Sequence, residues 1–308
     1  MNEEKKTVES SRTQMNEKML QKEVSRQRSQ ASHTHSVNPS PWHGLWALTN
    51  RDLRKWYTNP FQLFMSLIQP VIWLGLFGKA LDFGAIFTGS APQLSGAILT
   101  SVFGTSSYFS FLAAGMLTFV ILFTAMFSGM SIVWDRRFGF LNKVLTTPVA
   151  RGSIVMAKVL SSVGRSLVQA AIVLVIAVAL GMDTSKMTIL GVAGSFAAMF
   201  LMAIGLSSLF VMLALRSTDW QTQMAIMNLL NLPLLFASNA LFPAKFMPEW
   251  LQYIVKINPV SYATDAARQL LLGSTGIASL AFDFSFLAGF AVLFSAIGIV
   301  MSWRYLTK

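Results

Sequence analysis

The stretch WDRRFGFLNKVLTTPVAR, Trp134 to Arg151, sets five charged side chains (Asp135, Arg136, Arg137, Lys143, Arg151) between two strongly apolar runs. A helix starting near Asp135 puts Phe138, Leu141 and Leu145 on one face, at spacings of three and four, with Arg136, Arg137 and Lys143 on the others. Pro148 ends such a helix, because helical geometry is disfavoured before a proline, and Gly139 and Thr147 flank the apolar ridge. A short helix with an apolar ridge and basic flanks can seat in a socket on a soluble partner. It can equally lie in the headgroup zone as an ordinary basic loop. Other chemistry is scarce. GLFGK (Gly75 to Lys79) has two residues between its glycines where a phosphate loop has four, and it lacks the Ser or Thr. No nucleophile–base arrangement, carboxylate pair or metal-ligand cluster stands out, and the absence of Cys excludes thiolate chemistry and disulfides. His33, His35 and His43 precede the first apolar run, and a solvated tail explains them better than a metal. An enzyme acting alone is not expected, and no metal site is.

The elements that hold these residues belong to a membrane. The chain has 308 residues, 54% hydrophobic and 12% charged, against about 25% charged in a soluble domain. Six apolar segments, roughly 61–81, 108–133, 161–181, 189–215, 221–242 and 284–302, approach the ~20 residues needed to cross ~30 Å of hydrocarbon. Unbroken apolar runs satisfy their backbone as helices, whereas a barrel would alternate. The expected fold is an all-α membrane protein with six transmembrane helices.

Nineteen of the 24 Lys and Arg lie before residue 61, between 134 and 166, at 216, or after 302, which places both termini in the cytoplasm. The net charge of +11 is therefore topology, and no nucleic-acid partner is expected. Residues 1–40 are polar and expected to be disordered, with no apolar core of a signal peptide. From Pro41 to Asn59, Trp42, Leu45, Trp46, Leu53, Trp56 and Tyr57 alternate with Arg51, Arg54 and Lys55, which reads as a cytoplasmic amphipathic helix at the lipid surface. Between the fifth and sixth spans, two short helices are expected, one opened by Pro248 and one capped by Ser261 and ended by Gly273. Each is too short to span, so the pair reads as re-entrant or interfacial.

A proton- or sodium-driven carrier usually keeps an ionisable group inside the membrane, yet none of the 13 carboxylates falls within the six segments. Arg165 lies just inside the third, near enough to its end to snorkel. The fifth carries amides, among them Asn228, Asn231 and Asn239, near Pro233. They could line a path for amphiphiles or act as hydrogen-bonding glue, worth roughly 0.6 kcal/mol each.

The opening stretch resembles the cytoplasmic loop of type-2 ABC export permeases through Arg137, Gly139, Leu141, Leu145, Thr147, Pro148 and Arg151. INPVSYATDAARQLLLG resembles that family's second signature through Asn258, Pro259, Ser261, Tyr262, Asp265, Arg268 and Gly273. The approach to the first span is also similar, through Arg51, Pro60, Gln69, Pro70, Phe77 and Gly78, so the likeness covers about residue 45 onward, with the daunorubicin-resistance and nodulation-factor exporters as the nearest subgroup. Arg136, Phe138 and Phe140 depart from a pattern that often has Glu early and Thr after the Gly. The resemblance implies one transmembrane domain over 41–308 in the plasma membrane, paired with a second copy (a homodimer rather than a heterodimer). Two separate ATP-binding subunits would carry ATP and Mg, with no cofactor in this chain. Asp135 to Pro148 would be the coupling helix and Asn258 to Arg268 the re-entrant element. The implied function is export of an amphiphile (drug, lipid or glycolipid) driven by the partner's ATP hydrolysis. An ATP-independent channel or a scaffold for a soluble partner are the rivals.

Overall fold

Apolar length and a few polar caps determine where the helices run. The computed structural model describes residues 19, 21–23, 41–76, 78, 103–105, 107–147, 149–217, 219–274 and 278–305. The chain divides into Met1–Ser40 and Pro41–Lys308. In the first unit the described residues, 19 and 21–23, are helical; the expected disorder of the tail otherwise concerns residues outside the described set.

In the second unit the helices are α1 (Pro41–Tyr57), α2 (Pro60–Gly75), α3 (Tyr108–Arg137), α4 (Phe140–Leu145), α5 (Arg151–Ala179), α6 (Ile189–Arg216) and α7 (Trp220–Phe236). A 3₁₀ turn (Ala244–Phe246) then leads to α8 (Glu249–Val255), α9 (Pro259–Leu272) and α10 (Leu280–Tyr305). Among the described residues every regular element is helical. Four of them, α3, α5, α6 and α10, are long and apolar enough to cross a bilayer. The segments expected at 61–81 and 221–242 give the shorter α2 and α7, of 16 and 17 residues. The 61–81 segment runs into residues 77 and 79–81, outside the described set. α7 stops at Phe236, one turn after Pro233, and the chain turns back through buried Ser238 to Leu241.

Polar side chains set several helix starts. Thr188 accepts from the Gly191 amide and Asp219 from the Thr222 amide, capping α6 and α7. Hydrogen bonding from Thr222 holds the Asp219 carboxyl below its ordinary pKa. Asn258 caps α9 with Pro259 at the first helical position, so this helix begins before Ser261. It ends at Gly273, whose φ of +61° is left-handed, as anticipated.

α3 is the axis of the bundle. It packs against α2, α4, α5, α6, α7 and α9, and most of its length is buried. Small residues allow that crowding. A Cβ on Gly129 would lie 2.4 Å from the Phe210 carbonyl oxygen of α6. Gly129→Ala must therefore push two backbones apart, and we expect a stability loss of about 1–3 kcal/mol, read as a lower unfolding midpoint in detergent.

Candidate functional site

Two clusters hold the residues singled out by sequence, one at each end of α3. At the α4 end, α3 stops at Arg137, and Gly139, with φ of +70°, turns the chain into α4. This left-handed residue splits the expected ridge. Phe138 stands in the turn with 80% of its surface exposed, whereas Leu141 is 5% exposed and faces the chain's own core. Leu145 is half-buried against that core. The surface left open is formed by Arg137, Phe138, Asn142, Lys143, Thr146 and Thr147. The Thr147 hydroxyl donates to the Val144 carbonyl, 2.6 Å, closing α4; Pro148 lies outside the described residues.

Asp135 and Arg136 are engaged inside the chain. Arg136 donates to the Ser217 and Leu215 carbonyls (2.6 and 3.3 Å), where α6 ends with acceptors to spare. Asp135 Oδ2 accepts from Lys158 Nζ of α5 at 2.5 Å and from Arg51 of α1 at 3.0 Å. Lys158 also reaches Asp52 Oδ2 at 2.7 Å, and Arg51 bonds Asp52 Oδ1. Arg51 in turn lies over the Phe140 ring, 3.6 Å from its centroid. Burial alone would raise the Asp52 pKa, but Lys158 and Arg51 outweigh it and hold the carboxyl below the ordinary range. Two carboxylates and two cations thus fasten α1, α3, α4 and α5 into one ledge beneath Phe138.

At the opposite end, Arg268 of α9 is buried. Its guanidinium donates to the Phe111 carbonyl of α3 (3.1 and 3.2 Å), to Asn239 (2.5 Å) and to Ala240 (2.7 Å), and stacks on the Phe111 ring. Asn239 and Ala240 belong to the turn where α7 has ended, so the arginine satisfies backbone acceptors that no helix provides for. Asn258 assists: its amide donates to the Leu234 and Ala237 carbonyls of the last turn of α7 (2.8 and 2.7 Å). The Tyr262 hydroxyl donates to the Lys256 carbonyl at 2.6 Å, and its ring meets Phe286. Asp265 accepts from the Ala278 amide at 3.3 Å. Of the expected helix pair, α9 is buried against α3, α6 and α10, while α8 presents Trp250, Tyr253 and Ile254 outward.

The three asparagines of the fifth segment differ in their surroundings. Asn228 is exposed, Asn231 is half-buried, and Asn239 accepts from the Ala244 amide within the turn. No group of three His, Asp or Glu side chains that could hold a metal occurs among the described residues.

The model of the ABC-2 type transporter family matches residues 43–272, from the first turn of α1 to the end of α9. The chain belongs to the ABC-2 type transporter family. Among ABC-2 relatives and similar permeases, it is 32% identical over 244 residues to a protein of Cyanophora paradoxa named as the transport permease ycf38, covering 79% of each chain. The ycf38 of Pyropia yezoensis is 33% identical, over 73% of this chain and 72% of its own. A daunorubicin resistance ABC transporter permease protein, DrrB1 of Streptomyces coeruleorubidus, is 25% identical over 77% of each. These relatives are named as permeases, in keeping with the family match.

Sequence reasoning missed Asp52 and Lys158 in this ABC-2 chain, having only counted Lys158 among the basic residues between 134 and 166. A signal was present: Lys158 stands in SIVMAKVLSSV, where an unpaired lysine on an apolar helix calls for an acid.

Proposed function

We propose that this chain is the membrane-spanning subunit of an ATP-driven exporter, moving an amphiphile (drug, lipid or glycolipid) out of the cytoplasm. In this reading α2 and α7 complete the four long helices to six spans, an even number that keeps both termini on one side, and the distribution of Lys and Arg favours the cytoplasmic side of the plasma membrane. Two copies pair as a homodimer, and a separate ATP-binding subunit carries ATP and Mg. The observation that carries this reading is the ledge at the α4 end. Phe138 stands exposed between Arg137 and Lys143, on a turn stapled to three helices by largely buried ion pairs. A partner's motion at such a turn passes into α3 rather than into a loose loop. Asn239 serves the turn after α7, while Asn228 and Asn231 stay candidates for a path. Relatives named as transport and drug-resistance permeases support the export class.

Purification of this chain from its native membrane in mild detergent, followed by mass spectrometry, tests the assembly. A near-stoichiometric soluble chain bearing a phosphate-binding loop is expected. Isolation alone, with flux in liposomes unchanged by ATP, would favour a facilitator instead. Phe138→Asp tests the ledge: it removes an exposed aromatic without opening the core. We expect export to fall about tenfold or more, the scale of losing an interface aromatic worth ~1.4 kcal/mol or more, with the unfolding midpoint unchanged. Undiminished export would remove Phe138 from the coupling surface.

A further inference from the structure

A cavity of about 400 Å³ opens between α1, α2, α3 and α5, and Arg165 stands in its wall. A second hollow, of about 230 Å³, shares Trp56, Ser131, Trp134 and Arg165 with the first and continues to the ion pairs of Asp52 and Asp135. Arg165 therefore marks the junction between an apolar chamber and the charged ledge. Sequence position suggests that it reaches toward the near end of its helix, and on that side it lines both hollows. Its Nε donates to the Ser161 carbonyl at 3.2 Å. Asp52 and Asp135 are already bound by Lys158 and Arg51; Asp52 acts on Arg165 across the second hollow, but among the described residues no carboxylate lies within 4.0 Å of it.

The rest of the chamber is fitted for a molecule with two characters. Ser131, on both hollows, has a buried hydroxyl with no hydrogen-bond partner. Gln169 crosses the middle, donating to Ser66 of α2 at 2.6 Å and accepting from Thr124 of α3 at 2.5 Å, so the floor is fixed and polar. Above it Met65, Phe127 and Trp134 are about half exposed, forming an apolar wall open to the outside. A guanidinium held in a low-dielectric wall is costly without an anion, and its planar fork matches a phosphate or carboxylate through two parallel hydrogen bonds.

We propose that this chamber binds an amphiphile with an anionic head group, its phosphate or carboxylate on Arg165 and Ser131 and its apolar chain along Phe127 and Met65. The site stands whether or not the chain is an exporter, because binding needs neither ATP nor a partner. Two sources share this chemistry, a resident membrane lipid and a transported amphiphile.

The test uses the full chain in phosphatidylcholine nanodiscs, with tryptophan emission followed as brominated phosphatidylglycerol replaces the unlabelled lipid. Trp134 and Trp56 line the site and report its occupancy. We expect saturable quenching beyond that of brominated phosphatidylcholine, with the apparent affinity about tenfold weaker in Arg165→Gln. Arg165→Lys should fall between, since a point charge lacks the fork. Trp134→Phe should lose most of the saturable component, locating it here. If Arg165→Gln unfolds, Ser131→Leu, which fills the head-group end without removing charge, serves in its place. Equal quenching by the two lipids, or quenching indifferent to both Arg165→Gln and Ser131→Leu, would overturn the proposal. Source is decided afterwards in proteoliposomes: Arg165-dependent movement of a head-labelled phosphatidylglycerol between leaflets marks cargo, and binding without movement marks a resident lipid.

Discussion

Lys158→Met should cost about 3–5 kcal/mol of stability, the scale of removing one partner from a buried ion pair. Lys158 is nearly buried and binds two carboxylates, at 2.5 and 2.7 Å. Its loss leaves Asp52 with Arg51 alone, in surroundings where burial already pushes the carboxyl pKa up. The check is thermal unfolding in detergent followed by tryptophan emission. Adding Asp52→Leu should recover part of the loss, because a whole buried pair replaced by apolar groups is often near neutral. A coupling of about 0.5–3 kcal/mol between the two sites is expected. The pH dependence has a definite sign. Asp52 is held below its ordinary 3.8 in the folded chain, so its contribution is complete above that value and disappears as pH falls through the lower, folded one. The gap between wild type and Lys158→Met should therefore narrow on acidification. A gap that stays constant with pH would mean that Lys158 stabilises by packing rather than by charge.

Arg268→Lys is the second large effect, and it separates fork geometry from charge. The guanidinium makes four hydrogen bonds to three carbonyls on two segments and stacks on Phe111. A lysine ammonium keeps the charge but cannot reach both sides at once. Loss of about two charge-assisted hydrogen bonds, at roughly 1.5–3 kcal/mol each, predicts a decrease of about 3–6 kcal/mol. Limited proteolysis near residues 239–247 provides a local reading, because the turn after α7 loses its anchor. Asn258→Ala should loosen the same turn more mildly, by about 1–2 kcal/mol, as a helix cap is lost together with two backbone ties. If Arg268→Lys left both the midpoint and the cleavage pattern unchanged, charge alone would hold the turn.

Elements governed by local rules were legible in the sequence. Uninterrupted apolar runs gave α3, α5, α6 and α10 their existence, and Gly273 marked the end of α9. What escaped depends on contacts across the chain. Lys158 and its partner Asp52 lie 106 residues apart, and no local pattern joins them. The Phe138–Leu141 ridge failed as one face because Gly139 adopts a left-handed conformation between them, which turns Leu141 inward and leaves Phe138 outside. The start of α9 was displaced because an asparagine–proline pair outranks a later serine as a cap. The roles of Arg268 and Asn258 came through family likeness; only the broken end of α7 supplies the physical reason for them.

α3 itself carries a mechanical meaning. Thirty residues at ~1.5 Å each make a rod of about 45 Å, with no proline along it and its glycines pressed against neighbouring backbones rather than free to hinge. Arg268 grips it near Phe111, and Lys158 grips it at Asp135. A rod clamped at both ends neither stretches nor buckles easily, so under the proposed coupling a push at Phe138 would be carried along it to the far turn. In stiffness terms α3 is a strut.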